Sequence, residues 1–460
     1  MQDTIELTRD STTENPFLTG IHAPMREELE IHDLAVTGTI PAGLDGRYLR
    51  IGPNPIAPDA TRHHWFVGEG MFHGLAIADG KALWYKNRFV RSPRAAATLG
   101  LDPAAGAEGN PRAHNVNTNV VKIGERTFAL IEAGGAPLEL SFDLETQAYN
   151  GFDGTLQGAF AAHPHHDPLT GEHHAITYDG HRPDLITHVV VDAAGKVIRE
   201  EPIHLPHGPM IHDCAFTRRY MIILDLPVAF SMKAAQAGSI FPYHWNADLP
   251  ARVGLLPRNG TQADIIWCPV DPCFAFHVAN AYDRADGKVV LDLCVYESMF
   301  HAHAIGPDAR SRGFERWVID PEAQAVEIST VDAAPQEFPR PDERRFGQPY
   351  RYAYVVALPQ EGADAFFGSS RLYRHDLWEG TRAVHDFGPG RVPGEFVFVP
   401  KAEDSAEEEG WMMGLVIDAA SDRTDLVILD AARFEDAPVA TIHLPHRVPP
   451  GFHGNWIAGR

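Results

Sequence analysis

The feature that most limits the fold of this 460-residue chain is its run of short strand-like segments, each broken by a turn. ERTFALIEA (125–133), HHAITYD (173–179), LITHVVVD (185–192), YMIILDLP (220–227), KVVLDLCVYES (288–298), YRYAYVVALP (350–359), WMMGLVIDAA (411–420) and DLVILDAA (425–432) are rich in Val, Ile, Leu or aromatic residues. Gly, Pro, Asp or charged residues bound them, as they bound strands. Segments of helical period are scarce; 94–106 and 230–238 read as short helices within loops. A βαβ alternation is missing, which argues against a parallel α/β sheet. What remains is an all-β fold, either stacked sandwiches or one propeller, and no WD or kelch period decides between them. No Gly/Ser or Pro-rich linker divides the chain. Residues 1–460 therefore read as one domain, with 1–37 an extension packed on it and the acidic stretch 401–410 a solvated loop.

Charge narrows the partners. The sequence has 39 Lys and Arg against 62 Asp and Glu, a formal charge of -23. Phosphate binding needs clustered cations, so nucleic acid is excluded as a partner. Cys214, Cys268, Cys273 and Cys294 form no C-x-x-C pair and read as buried, reduced thiols. The N-terminus lacks a basic stretch followed by an apolar one, and no apolar run reaches the roughly 18 residues of a membrane span. The expectation is a cytoplasmic protein, at most peripheral on the inner membrane face.

Motif chemistry points away from nucleotides and hydrolysis. H-E-x-x-H, G-x-S-x-G and the phosphate loop G-x-x-x-x-G-K are absent, and GEGMFHG (68–74) spaces its glycines wrongly for a dinucleotide loop. Histidine is abundant, 25 residues in all, so abundance alone proves little. His165, His166, His173 and His174 read as loop residues, and His301 with His303 is a weak H-x-H. Four others have distinctive surroundings: His163 in AAHPHHDP, His212 in GPMIHDCAF, His277 in CFAFHVANAYD and His453 in PGFHGNWI. Their separations of 49, 65 and 176 residues are too wide for one hairpin to supply the set. They suit a ring in which several blades each aim one side chain at the axis. Seven blades would take about 66 residues each, making the gaps one, one and two to three blades.

The chain resembles the carotenoid cleavage oxygenase family, which includes apocarotenoid-, stilbene- and phenylpropanoid-cleaving members. The resemblance rests on GTIPAGLDGRYLRIGPNP (38–55), HWFVGEGMFHG (64–74), NVNTNVV (115–121), AHPHHDP (162–168), IHDCAFT (211–217), FHVANAYD (276–283), EFPR (337–340), GEFVFVP (394–400) and FHGNW (452–456). It implies a seven-bladed β-propeller with a loop and helix cap over the metal face. It also implies Fe(2+) held by His163, His212, His277 and His453, with Glu132, Glu337 and Glu395 behind them. A carboxylate on the outer nitrogen of a histidine fixes its tautomer and raises its basicity. Three glutamates for four histidines leave one without, and the resemblance makes that one His163. The implied reaction adds both atoms of O2 across one C=C bond of a conjugated alkene, without an external reductant.

Departures from the family pattern bear on the substrate. Relatives that cleave phenolic alkenes carry a Lys just before the first of these glutamates; this chain has Ile131. An apolar residue suits a carotenoid or apocarotenoid and leaves nothing there to hold a phenolate, so the stilbene or phenylpropanoid class is the alternative. Two family Asp positions are Val67 and Glu69, which the sequence places in blade packing near the entrance. Phe230, Met232, Ile240, Phe241 and Trp245, within 229–245, read either as a membrane-contacting patch or as a lid packed on the propeller. Oligomeric state and the double bond cleaved are not legible.

Overall fold

The computed structural model describes residues 15–301, 304–359 and 366–459. Their strands form seven sheets of four or five antiparallel strands and one two-stranded hairpin. The seven sheets are the blades of a propeller. Blade 1 joins Glu30–Ile31, Gly46–Pro53, Gly70–Ala78 and Lys81–Phe89 to the late strand Gly454–Ala458. Blades 2 to 6 follow in order over residues 119–149, 165–204, 214–269, 278–332 and 336–386. Blade 7 spans 391–444 and takes Ala35–Gly38 at its outer edge.

Burial explains the strand composition. Middle strands such as Val289–Tyr296 and Gly410–Asp418 lie between neighbouring blades and are buried almost throughout. Both faces are covered, so they read as unbroken apolar runs rather than as alternation. Outer strands such as Val197–His204 and Ala325–Asp332 are largely exposed and carry Arg, Glu and Asp, which discourages further edge pairing. The inner strands, Asn119–Ile123, His165–His166, Cys214–Phe216, Val278–Asp283, Gln336–Arg340, Arg391–Pro400 and Gly454–Ala458, meet one another around the axis.

The ring closes twice. Gly454–Ala458 pairs with Gly46–Pro53, and Ala35–Gly38 pairs with Ala440–Leu444. At the first closure the backbones approach so tightly that a Cβ on Gly454 would lie 2.4 Å from the Leu49 carbonyl oxygen. Only glycine is tolerated at such an approach. The segment before Gly46 therefore does more than pack on the propeller: it lends strands to two blades. Asn15 also donates to the His63 carbonyl at 2.9 Å, and Phe17 stacks on Trp65 at 5.5 Å.

Several local expectations change. The helix expected over 94–106 is Pro93–Leu99, capped by Ser92 and stopped where Gly100 turns left-handed at φ 70°. The helix expected over 230–238 shrinks to Met232–Gln236, inside the hairpin of Val228–Phe230 and Tyr243–Trp245. His165, His166, His173 and His174 are strand residues, not loop residues, paired His165 to His174 and His166 to His173. Polar neighbours surround them: Arg258 bonds Asp167 at 2.6 Å and Glu172 at 2.9 Å, and His174 meets His188 at 3.2 Å. His301 is an exposed residue beside Asp308, and His303 lies outside the described residues. All four cysteines are free and buried, and 401–410 joins two strands of blade 7 as a loop. No helix among the described residues is long and apolar enough to cross a membrane.

Candidate metal centre

Each of the four histidines stands one or two residues ahead of an inner strand. His163 precedes His165–His166, His212 precedes Cys214–Phe216, His277 precedes Val278–Asp283, and His453 precedes Gly454–Ala458. They thus come from blades 3, 4, 5 and 1, and the 176-residue gap is three blades. The other three blades supply the glutamates. Glu132 follows Arg126–Leu130 of blade 2, Glu337 lies in the inner strand of blade 6, and Glu395 in that of blade 7. One functional side chain per blade points to the axis.

Irregular pairing aims them. The ladders of blades 5, 6 and 7 slip at Val278/Asn280, Glu337/Arg340 and Pro393/Phe396, next to His277, Glu337 and Glu395. A bulge bends its strand and redirects a side chain, and bulges gather at active sites. Ala133 and Phe338, directly after Glu132 and Glu337, both hold φ 57°. Left-handed backbone is costly for residues with a Cβ, of order 1–3 kcal/mol, and persists where the surroundings enforce it. At Phe338 it lays the ring on His277, with centroids 5.1 Å apart.

The imidazoles converge. One nitrogen from each lies within 4.8 Å of the others, and the side chains are only 5 to 9% exposed. His277 Nδ1 donates to Glu337 at 2.5 Å, and His453 Nδ1 donates to Glu395 at 3.0 Å. Glu132 Oε1 abuts His212 Nδ1, and its Oε2 accepts from the Tyr178 hydroxyl at 2.6 Å. No hydrogen bond joins His163 to a carboxylate among the described residues; its Nε2 is 3.8 Å from Glu132 and has no partner.

With the protons on Nδ1, the Nε2 lone pairs of His212, His277 and His453 face one another. Yet His277 Nε2 is 3.1 Å from His212 Nε2 and 3.0 Å from His453 Nε2. Lone pairs that close repel unless a cation lies between them. Burial, with three neighbouring imidazoles, drives the pKa of His163 well below the usual value and keeps it neutral. Burial also outweighs Glu395 at His453, whereas at His277 burial is opposed by Glu337, Asp213 and Glu395 together, and their combined pull raises the pKa. Glu395 falls to about 2: burial opposes ionisation, but Arg340 and His453 overcome it. Four imidazoles without a thiolate suit a first-row metal such as iron and leave coordination positions free. The residues present fit that ion.

Three residues escaped the sequence reading. Tyr178 anchors Glu132 from blade 3. Arg340, within EFPR, reaches Glu395 at 3.1 Å and Asn455 at 2.5 Å. Asp213, within IHDC, accepts from His165 at 2.7 Å and from the Val278 N–H at 2.9 Å, tying blades 3, 4 and 5 together behind the histidines. A charged residue within three residues of a candidate His or Glu was the available signal for the last two.

Ile131 is half-buried against the apolar cluster between blades 1 and 2, close to Gly135. Glu69 is buried and takes the Ile56 N–H at 3.0 Å and Arg94 at 3.2 Å. Within the 229–245 hairpin Phe230, Phe241 and Trp245 pack inward, while Met232 and Ile240 are 55% and 41% exposed. Phe241 meets Phe66, which meets Phe276 and Phe452, the residues just before His277 and His453. An aromatic wall therefore separates the hairpin from the imidazoles.

The Retinal pigment epithelial membrane protein family matches residues 22–458. A carotenoid cleavage oxygenase of Mycobacterium tuberculosis is 39% identical, over 96% of this chain and 98% of its own length. Among solved structures, the lignostilbene dioxygenase of Pseudomonas brassicacearum superposes with a TM-score of 0.86 at 27% identity, covering 96% of this chain and 98% of that one. The cobalt-substituted apocarotenoid oxygenase of Synechocystis gives 0.83 at 28%, covering 95% and 97%. This chain belongs to the carotenoid cleavage oxygenase family, and its propeller and buried histidine cluster are those of an oxidoreductase of that class.

Proposed function

We propose that the protein is a non-haem Fe(2+) dioxygenase that cleaves a conjugated C=C bond of a carotenoid or apocarotenoid. His163, His212, His277 and His453 hold the metal, and Glu132, Glu337 and Glu395 orient the last three. The observation that carries the reading is the convergence of one nitrogen from each of four buried imidazoles, with carboxylates behind three of the rings. Iron, when bound, supplies the one-electron chemistry that lets triplet dioxygen react with a singlet alkene. The net reaction joins one alkene and one O2 into two carbonyl products, so no external reductant is needed. The chain's own residues place the alkene and keep water out. Phe66, Phe276 and Phe452 offer an apolar surface beside the imidazoles.

Ile131, with no ammonium to pair with a phenolate, supports the isoprenoid substrate, as does the likeness to the mycobacterial carotenoid cleavage oxygenase. The alternative, a stilbene or phenylpropanoid alkene, is favoured by the TM-score of 0.86 to the lignostilbene dioxygenase. The chain works as a single domain in this reading, and exposed Met232 and Ile240 give it peripheral contact with the inner membrane face, where apolar substrates partition. Mass spectrometry of products after incubation with an apocarotenal and a hydroxystilbene tests the substrate. Aldehydes from the apocarotenal are expected, and turnover of the stilbene alone would overturn the reading of Ile131. Protein that retains no iron and is unchanged by His277→Ala would sink both versions.

A further inference from the structure

The imidazoles have a second face. A cavity of about 380 Å³ touches His163, His277 and His453 and runs between the inner strands to the turn at Gly124 and Glu125. All seven blades line it. Glu125 is almost fully exposed, so the far end meets solvent. Four carboxylates border this space (Glu125, Asp213, Glu343 and Glu395) against two cations, Lys122 and Arg340. His166 and His173 also line it, with ring centroids 4.8 Å apart. His173 is 7% exposed, and its Nδ1 has no hydrogen-bond partner.

An aquated divalent ion needs such a lining. On the opposite side Phe66, Phe276 and Phe452 offer it no oxygen or nitrogen to replace lost water, and stripping a cation of water without replacement is prohibitive. Along the axis, carboxylates draw the ion in and neutral imidazoles exchange for its waters one at a time. We propose that the axial cavity is the passage by which an aquated divalent transition-metal ion enters and leaves the four-histidine centre, with His166 and His173 as a relay. The proposal rests on that centre being a metal site. It assigns metal traffic to one face of the centre and leaves the aromatic face to the alkene.

Chelator-stripped protein mixed with Co(II) chloride gives the uptake rate from the growth of the cobalt d–d absorbance, and EDTA added to cobalt-loaded protein gives the release rate. Val121 borders the cavity from the inner strand of blade 2. Val121→Trp should slow uptake and release together by about tenfold or more, since restricted access lowers both rates alike. Cobalt affinity, and turnover by protein already loaded with iron, should stay unchanged. Glu125→Gln, on an exposed turn and so safe for folding, should slow uptake by about twofold to fivefold at low salt, and the difference should vanish at high salt. Unchanged uptake in a folded Val121→Trp protein would overturn the passage. So would a loss of affinity equal to the loss of uptake rate, because a passage cannot alter an equilibrium. Failure of the unsubstituted protein to take up cobalt at all would instead overturn the metal reading of the centre.

Discussion

The four imidazoles divide two environments that share almost nothing. On one side, Phe66, Phe276, Phe452 and Trp65 pack ring against ring, with centroids 4.9 to 5.9 Å apart. On the other, the inner strands line a cavity with Asn119, Asp213, Arg340 and Asn455. The same short segments make both. Phe276 and Phe452 stand one residue before a candidate ligand, and Val278 and Gly454 one residue after. Aromatic ring, candidate ligand and the start of an inner strand thus follow one another within three residues at His277 and at His453. The lesson is that the centre sits on a thin boundary, with an aromatic ring directly before the histidine at two of its four positions.

That boundary can be broken at its centre first. His277→Ala should cost more than about 100-fold in iron affinity, the upper end for losing an outer carboxylate alone, with cleavage falling alongside. Metal analysis after equilibrium dialysis reads the first and product formation the second. Glu337→Gln keeps the ring but weakens its hold on the His277 N–H, and should cost about 10- to 100-fold in affinity. On the aromatic side, Phe276→Ala removes a ring only 1% exposed and should destabilise the fold by about 3–5 kcal/mol in urea titration, with the iron affinity of the protein that remains folded largely retained. Tyr178→Phe deletes one hydrogen bond to an ionised carboxylate, worth about 1.5–3 kcal/mol, and should appear as a modest fall in metal affinity without loss of packing. Smallest of all, Met232→Ser with Ile240→Ser should shift stability by less than about 0.5 kcal/mol while reducing binding to lipid vesicles. A large stability change there would place both side chains in the lid and not at a membrane.

The candidate ligand set was legible through the family resemblance, whose motifs single out four of the 25 histidines. Their spacing was consistent with a ring, and strand density carried the all-β class. The bulges were not legible. They depend on which strand pairs with which, and nothing within QEFPR or GEFVF says that the ladder slips there. Tyr178 was hidden for a similar reason: HHAITYD shows a strand, but its contact with Glu132 joins residues 46 apart on different blades. His173 and His174 misled because paired histidines look like solvated loop, and Arg258, the partner of His174 inside the blade, lies 84 residues away.

The closure of the ring through Gly454–Ala458 also sets an order of assembly. The strand that closes it begins one residue after His453 and pairs with Gly46–Pro53, some four hundred residues earlier in the chain. Contacts of such separation are entropically late. A chain interrupted before that point, in synthesis or by proteolysis, can present at most three of the imidazoles, and the last ligand falls into place only as the seam is sewn. A metal bound there would act as a clasp on the finished ring, favouring by mass action the closed state over every open one, so that its supply would double as quality control on a completed propeller.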